Sequence, residues 1–164
     1  MDNWTTTNSD TFHRNTWSTE NDESGMKTPF IEAWRGTGNN LNDATISHKT
    51  IEGLTPGNYT VNIFARAFNE GNTTDYPSGI TFFANGQTVN FAEVGSTSIF
   101  NEASTVLYAT LSVETAVGED GKLDLGFTLE GVVGDWLAFK NLEVIYHDPV
   151  IPEVTAVEGK MNAE

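Results

Sequence analysis

Residues 53–68, GLTPGNYTVNIFARAF, combine a tight turn with a long alternating strand. Pro56 pre-sets its φ for a turn, and Gly57 can adopt the positive φ that a type II turn requires at the next position. After the turn, every second residue is a core-type side chain. These residues are Tyr59, Val61, Ile63, Ala65 and Ala67. A period of two indicates a β-strand with one face in a core.

The opposite face of this strand is not an ordinary solvent face. It carries Phe64, Arg66 and Phe68 at successive outward positions, after the polar residues Thr60 and Asn62. Such a stripe is either covered by a second layer or forms a surface that contacts something flat.

The composition favours a β protein and excludes several kinds of site. The 164 residues suit one domain, and 38% are hydrophobic, which is enough for a core. The net charge of −15, from 23 acidic and 8 basic residues, disfavours nucleic acid and anionic membranes as partners. Without cysteine the chain has no disulfides, zinc-thiolate sites or thiol nucleophiles. The sequence has no apolar run of about 18 residues, so no membrane span is predicted.

Short strands separated by turn signals continue along the chain. Strands are predicted at residues 28–35, 43–51, 58–68, 79–84, 87–92, 105–114, 122–130 and 136–146. The turn at residues 53–57 is expected to make a hairpin, and Asn85-Gly86 is a strong two-residue hairpin signal. Residues 69–78 and 93–104 are predicted to be polar loops. With no helix expected between strands, an antiparallel β-sandwich follows, either jelly roll or immunoglobulin-like.

The two ends of the chain have a different character. Residues 1–27 are polar, and we expect an irregular segment that lies on the sheet, with one short strand around Phe12. The domain is predicted to span residues 1–147. Residues 148–164 begin with two prolines and are predicted to be a linker, followed by the start of a helical region or a frayed end. We expect the chain to be part of a longer secreted protein.

Three stretches carry a family resemblance: PFIEAWRG at 29–36, TISHKTIEGLTPGNYTVNIFARAF at 45–68 and DWLAFKNLEVIYH at 135–147. Their order resembles the galactose-binding-like jelly-roll domains of carbohydrate-binding modules, in particular those on secreted and outer-surface proteins of gut Bacteroidetes. The resemblance implies a jelly-roll fold, an extracellular or cell-surface location and a polysaccharide or other glycan as the partner. It rests mainly on turn and core residues, so it is weaker for the ligand than for the fold.

The same resemblance raises the question of a structural calcium ion. Several of these families bind calcium through an aspartate in the last strand, where this sequence has Lys140. An ammonium group there would repel a metal ion. If calcium is bound, Glu32 and carbonyl groups of the first loop are its predicted ligands.

Glycan recognition needs flat aromatic faces and planar hydrogen-bonding groups. The candidate residues with these properties are Trp17, Trp34, Arg66, Asp75, Tyr76 and Trp136. Each has a structural alternative: the tryptophans can serve as core or rim residues, and Arg66 can pair with a carboxylate such as Glu32.

Three functional hypotheses follow from these residues. The first is a non-catalytic carbohydrate-binding module. The second is a structural or adhesion domain that spaces other domains or holds a protein partner. The third, a small jelly-roll glycoside hydrolase or lyase, needs two facing carboxyl groups that spacing cannot identify. The sequence gives little support to catalysis, because the three histidines are isolated and no nucleophile or phosphate-binding motif is present.

Overall fold

The computed structural model describes residues 2–8, 10–15, 26, 29–72, 74–101 and 104–148. These residues form two antiparallel sheets. The six-stranded sheet has the spatial order β2 (Thr11–Asn15), β3 (Phe30–Trp34), β11 (Trp136–His147), β5 (Gly57–Glu70), β9 (Ser104–Val117) and β8 (Ser96–Asn101). The five-stranded sheet has the order β1 (Trp4–Thr6), β4 (Ala44–His48), β10 (Leu125–Val133), β6 (Ser78–Ala84) and β7 (Gln87–Asn90).

The two sheets pack face to face around one hydrophobic core. Between β3 and β11 the chain crosses repeatedly from one sheet to the other, as a jelly roll does. All five residues predicted to form the inner face of β5 are buried in this core, from Tyr59 to Ala67. Within the five-stranded sheet, the ring centroids of Phe82 and Phe127 are 5.2 Å apart. Phe127 in turn contacts Phe139 of the six-stranded sheet, with centroids 4.9 Å apart. The predicted all-β jelly-roll sandwich is confirmed.

The predicted hairpin at residues 53–57 is wrong. The β4 strand belongs to the five-stranded sheet and β5 to the six-stranded sheet, so this turn carries the chain across the sandwich. The crossing is fixed by the backbone, because Leu54 N–H donates to the Gly121 carbonyl at 3.0 Å. Gly57 has a φ of 151°, unlike the value near +80° of a type II turn, and a Cβ there would lie 2.7 Å from the Tyr146 ring.

Two segments predicted to lack regular structure contain strands. The N-terminal residues form the edge strands β1 and β2, of which only a strand around Phe12 was expected. Residues 93–104 contain β8, which pairs with β9, and a one-turn helix α1 (Phe91–Val94) precedes it. Buried Phe91 anchors this helix and the Asn90 side chain caps it by accepting from Ala92 N–H at 3.0 Å. The Asn85-Gly86 hairpin is confirmed, with φ values of 42° and 78°.

Some expectations lie outside the described residues. They include Trp17, most of the segment between β2 and β3, and the predicted linker from residue 149 onward. The domain bounds of 1–147 stay a prediction. In the part of the chain that the structure describes, no helix has the length and apolar character of a membrane span.

Candidate functional site

The outer face of the six-stranded sheet points away from the core. It brings together four of the predicted site residues: Glu32, Trp34, Arg66 and Trp136. In cross-strand register, His13, Glu32, Ala138, Arg66 and Tyr108 form one row across β2, β3, β11, β5 and β9. Residues paired in this way share a face of the sheet. The row therefore places a carboxylate, a guanidinium and a phenol along one line, with the small Ala138 between Glu32 and Arg66.

A second row lies beside the first, at the end of the sheet where β11 begins. It contains Trp34, Trp136 and Phe68 in register on β3, β11 and β5. The two tryptophans have different environments, since Trp34 is 44% exposed and Trp136 only 8%. Of this pair, Trp34 is the ring that a ligand can reach.

Trp136 is held by a hydrogen bond to a buried carboxylate. Its indole Nε1–H donates to Glu32 Oε2 at 2.5 Å, and His13 Nε2 lies 2.8 Å from the other oxygen, Glu32 Oε1. A buried carboxylate is stabilised only when its oxygens find such donors. Glu32 thus restrains the Trp136 ring, and His13 in turn restrains the Glu32 carboxylate.

A small second core covers part of the outer face. Met26, Phe30, Trp136 and Ala138 are buried together there, and the half-buried Phe64 and Phe68 pack against them. Phe68 and Phe30 meet the Trp136 ring edge-on, with centroids 5.0 and 6.2 Å away. The aromatic stripe predicted on β5 is therefore partly covered by a second layer, one of the two possibilities that the sequence left open.

Tyr108 is a candidate that sequence reasoning missed. Its ring is 38% exposed, and the Arg66 guanidinium carbon lies 5.5 Å from the ring centroid. This distance is within the range of a cation–π contact. The alternation of β9 contains the signal, because Tyr108 lies between Leu107 and Ala109 and a period of two puts it on the opposite face. Whether Arg66 also pairs with Glu32 stays a prediction.

The outer face becomes polar toward its other end. Thr60 Oγ1 donates to Glu114 Oε1 at 2.6 Å and lies 2.5 Å from His147 Nε2. One row nearer the centre, Ser112 Oγ donates to Asn62 Oδ1 at 2.5 Å. These exposed hydroxyl, amide and carboxylate groups hold one another in place across three strands.

Asp75 and Tyr76 lie away from these rows, in the loop between β5 and β6. The Asp75 carbonyl accepts from Asn69 Nδ2 at 2.7 Å and from Thr105 Oγ1 at 2.9 Å, and its N–H donates to Asn72 Oδ1 at 2.8 Å. The loop is thereby tied to the ends of β5 and β9. Tyr76 remains exposed on it. Their role as ligand contacts stays a prediction.

A buried acid joins the loops beside the aromatic row. Asp135 accepts from Gly38 N–H at 2.9 Å through Oδ2, while Oδ1 is buried and has no hydrogen-bond partner among the described residues. Burial raises the pKa of the Asp135 carboxyl above its ordinary value, and the nearby charge of Glu70 adds to this, although backbone N–H groups oppose both effects. The β3–β4 loop is thus attached to the residue that precedes Trp136.

The surroundings of Glu32 do not fit a calcium ion. Both of its carboxylate oxygens face N–H-bearing rings of Trp136 and His13, whereas calcium requires six to eight oxygen ligands. Among the residues that the structure describes, no group of three His, Cys, Asp or Glu side chains is placed to hold a metal ion.

Comparison with known proteins found nine similar chains among solved structures, two of which are described below, and no sequence relatives. No protein-family model and no curated protein matches the chain. A structure described as "CBM4 structure and function" has 11% identity and a TM-score of 0.45, covering 88% of this chain and 86% of its own. The CBM22-2 xylan-binding domain from Paenibacillus barcinonensis Xyn10C has 7% identity and a TM-score of 0.45, covering 90% and 93%. Similarities of this size do not assign a ligand to this chain.

Proposed function

We propose that this chain is a non-catalytic module that binds a glycan on the outer face of the six-stranded sheet. The observation that carries the proposal is the exposure of two rings, Trp34 and Tyr108, on either side of Arg66 on a single sheet. Aromatic faces pack on the C–H faces of pyranose rings, and the part of Arg66 that reaches the surface, 9% of the residue, would donate to sugar hydroxyls.

The spacing of the two exposed rings suits an oligosaccharide rather than a single sugar. Trp34 and Tyr108 stand on β3 and β9, with β11 and β5 between them. Three interstrand steps correspond to about 14 Å, which several linked pyranose rings would span. The covered residues Trp136 and Phe68 would support this surface from below and keep the exposed rings in fixed positions, which lowers the entropy cost of binding.

Other predicted residues would contribute at the margins of this surface. Tyr76 and Asp75 would contact a glycan that extends over the β5–β6 loop, and Trp17 would act from the segment between β2 and β3. We also propose that the module belongs to a secreted or cell-surface protein, in keeping with the sequence resemblance, and that it acts together with other domains of a longer chain.

The test is calorimetric and fluorescence titration of the chain against a panel of plant and host polysaccharides, with and without EDTA. We expect saturable binding to at least one glycan and no dependence on EDTA. Trp34→Ala and Tyr108→Ala should each weaken it roughly tenfold, since each removes one stacking surface. Ile145→Ala is the matched control, because Ile145 is also exposed on this face but lies in the polar row with Thr60.

Three outcomes would overturn the proposal. Unchanged affinity in folded Trp34→Ala and Tyr108→Ala would remove the site, even if a glycan binds elsewhere. Release of new reducing ends from a polysaccharide would favour the hydrolase or lyase hypothesis. If the protein unfolds cooperatively but binds no glycan of the panel, the result would favour the spacer or adhesion hypothesis.

The spacer or adhesion hypothesis has its own supporting observation. Met26 and Trp136 are buried on the outer face, so part of the aromatic stripe already packs against this chain. If all of its aromatic surface served this purpose, the face would need no ligand. The exposure of Trp34 and Tyr108 is what favours the glycan hypothesis over this one.

A further inference from the structure

A step in the six-stranded sheet leaves a cavity at one edge of the sandwich. The β3 strand pairs with β11 only from Trp136 to Phe139, whereas β11 continues beside β5 as far as His147. Beyond Lys140 the pairing of β11 with β5 is interrupted by a bulge, at which Asn141 has a φ of 56°. Within the described residues, β11 therefore loses its β3 neighbour just where its backbone bends.

The cavity that opens at this step has a volume of about 300 Å³. Residues of both sheets and Pro29 contribute its apolar lining, which consists of Trp4, Pro29, Phe30, Ile31, Ile63, Phe139 and Leu142. The Trp4 ring lies against Phe139, with centroids 4.7 Å apart, and this contact fixes one wall. A volume of this size is at the lower end of the range for small-molecule sites.

Positive charge gathers around this cavity. Arg14 and Lys140 line it, and Asp2 is the one carboxylate among its lining residues. The whole chain has only 8 Lys and Arg against 23 Asp and Glu, so a site lined by more cations than carboxylates departs from its general charge. The Trp4 ring also meets the His48 ring edge-on, with centroids 5.1 Å apart.

We propose that this edge cavity binds a small amphipathic carboxylate, with an apolar or aromatic body against Trp4 and Phe139. The carboxylate group would lie toward the Arg14 guanidinium and the Lys140 ammonium, since charge-assisted hydrogen bonds to carboxylates are the strong ones. The site is separate from the proposed glycan surface, because Trp34, Arg66 and Tyr108 are not among the residues that line it.

Three probes with one apolar body and different charges test the proposal. We would titrate the ¹⁵N-labelled chain with 3-phenylpropionate, 3-phenylpropanol and 3-phenylpropylamine, and follow the Trp4 indole resonance. The acid should bind saturably, the alcohol several-fold more weakly, and the amine not measurably. Arg14→Gln and Lys140→Gln should each lower the affinity for the acid two- to fivefold, and the double variant roughly tenfold.

Two further variants test the direction of the charge effect on affinity and provide a control. Asp2→Asn removes the carboxylate from the lining and should tighten binding of the acid. Lys122→Gln removes a cation that pairs with Glu52 away from the cavity, so it is the matched control and should leave the affinity unchanged. If Lys140→Gln fails to fold, Arg14→Gln and Asp2→Asn still give opposite predicted changes.

The proposal is overturned if the amine binds as tightly as the acid, or if none of the three probes saturates at its solubility limit. It is also overturned if Arg14→Gln and Asp2→Asn, both folded, leave the affinity for 3-phenylpropionate unchanged. Glycan binding should be the same in these variants as in the unmodified chain, so failure here is distinguishable from failure of the proposed glycan surface.

Discussion

Replacing Trp136 with phenylalanine tests whether this residue supports the outer face or is itself a ligand platform. The substitution keeps an aromatic ring against Phe30 and Phe68 but removes the Nε1–H that donates to Glu32 at 2.5 Å. A hydrogen bond to a charged group contributes about 1.5–3 kcal/mol, and the lost part of the indole ring adds about 1 kcal/mol. We therefore expect the free energy of unfolding to fall by roughly 3 kcal/mol.

Urea unfolding followed by far-UV circular dichroism measures this change, and two further variants divide it. Trp4→Phe removes the same ring atoms but no hydrogen bond between described residues, so it should cost only about 1 kcal/mol. In a Glu32→Gln background the acceptor is neutral, and Trp136→Phe should cost about 1 kcal/mol less than in the unmodified chain. The coupling between positions 136 and 32 is the direct measure of the bond.

The supporting role of Trp136 is refuted if Trp136→Phe lowers the free energy of unfolding no more than Trp4→Phe does, or if the double-mutant cycle shows no coupling.

A functional readout separates the two roles of the tryptophans. Trp34→Ala should weaken glycan binding with little loss of stability, because Trp34 is 44% exposed. Trp136→Phe should do the reverse. Equal effects of both substitutions on binding and stability would contradict this division.

Three other substitutions have defined outcomes. Gly126→Ala should lower the free energy of unfolding by roughly 3 kcal/mol, because its Cβ would lie 2.1 Å from the Ile46 carbonyl oxygen; an unchanged urea midpoint would contradict this. Asn85→Ala loses three side-chain hydrogen bonds and strains a φ of 42°, so it should cost about 2 kcal/mol, and Asn85→Gly, which relieves only the strain, should cost less. The raised pKa of Asp135 means that the folded state binds this proton more tightly than the unfolded chain. Its contribution to stability therefore falls as the pH rises from 3.8 to the raised value. Asp135→Asn keeps an acceptor for Gly38 N–H and should flatten this part of the stability–pH curve, and parallel curves for both proteins would contradict the assignment.

The features that the sequence predicted well are those set by local alternation and turn chemistry. The period of two from Tyr59 to Ala67 identified the core face of β5, and Asn85-Gly86 identified its hairpin. Phe30, Glu32 and Trp34 alternate along β3, and they lie together on the outer face. In each case the information is contained within a few neighbouring residues.

The features that the sequence did not predict depend on pairing between distant residues. A turn at residues 53–57 shows that the chain changes direction, but the sheet that receives the next strand is decided by contacts such as Leu54 with Gly121. Residues 93–104 were predicted to be a polar loop, whereas β8 forms within them by pairing with β9. The site likewise depends on register, which brings Tyr108 beside Arg66 across two strands.

The division of the aromatic stripe explains how one face can both stabilise the fold and remain available to a ligand. Phe64, Phe68 and Trp136 lie under or beside Met26, so they are restrained by packing whether or not a ligand is present. Trp34 pairs with Trp136 across β3 and β11, and its backbone is therefore held by the covered part of the face. An exposed ring on such a support loses little further freedom on binding, which is the condition for useful affinity from few contacts. If the proposed function holds, the buried aromatic residues, which by themselves favour a purely structural domain, contribute to binding by restraining the exposed ones.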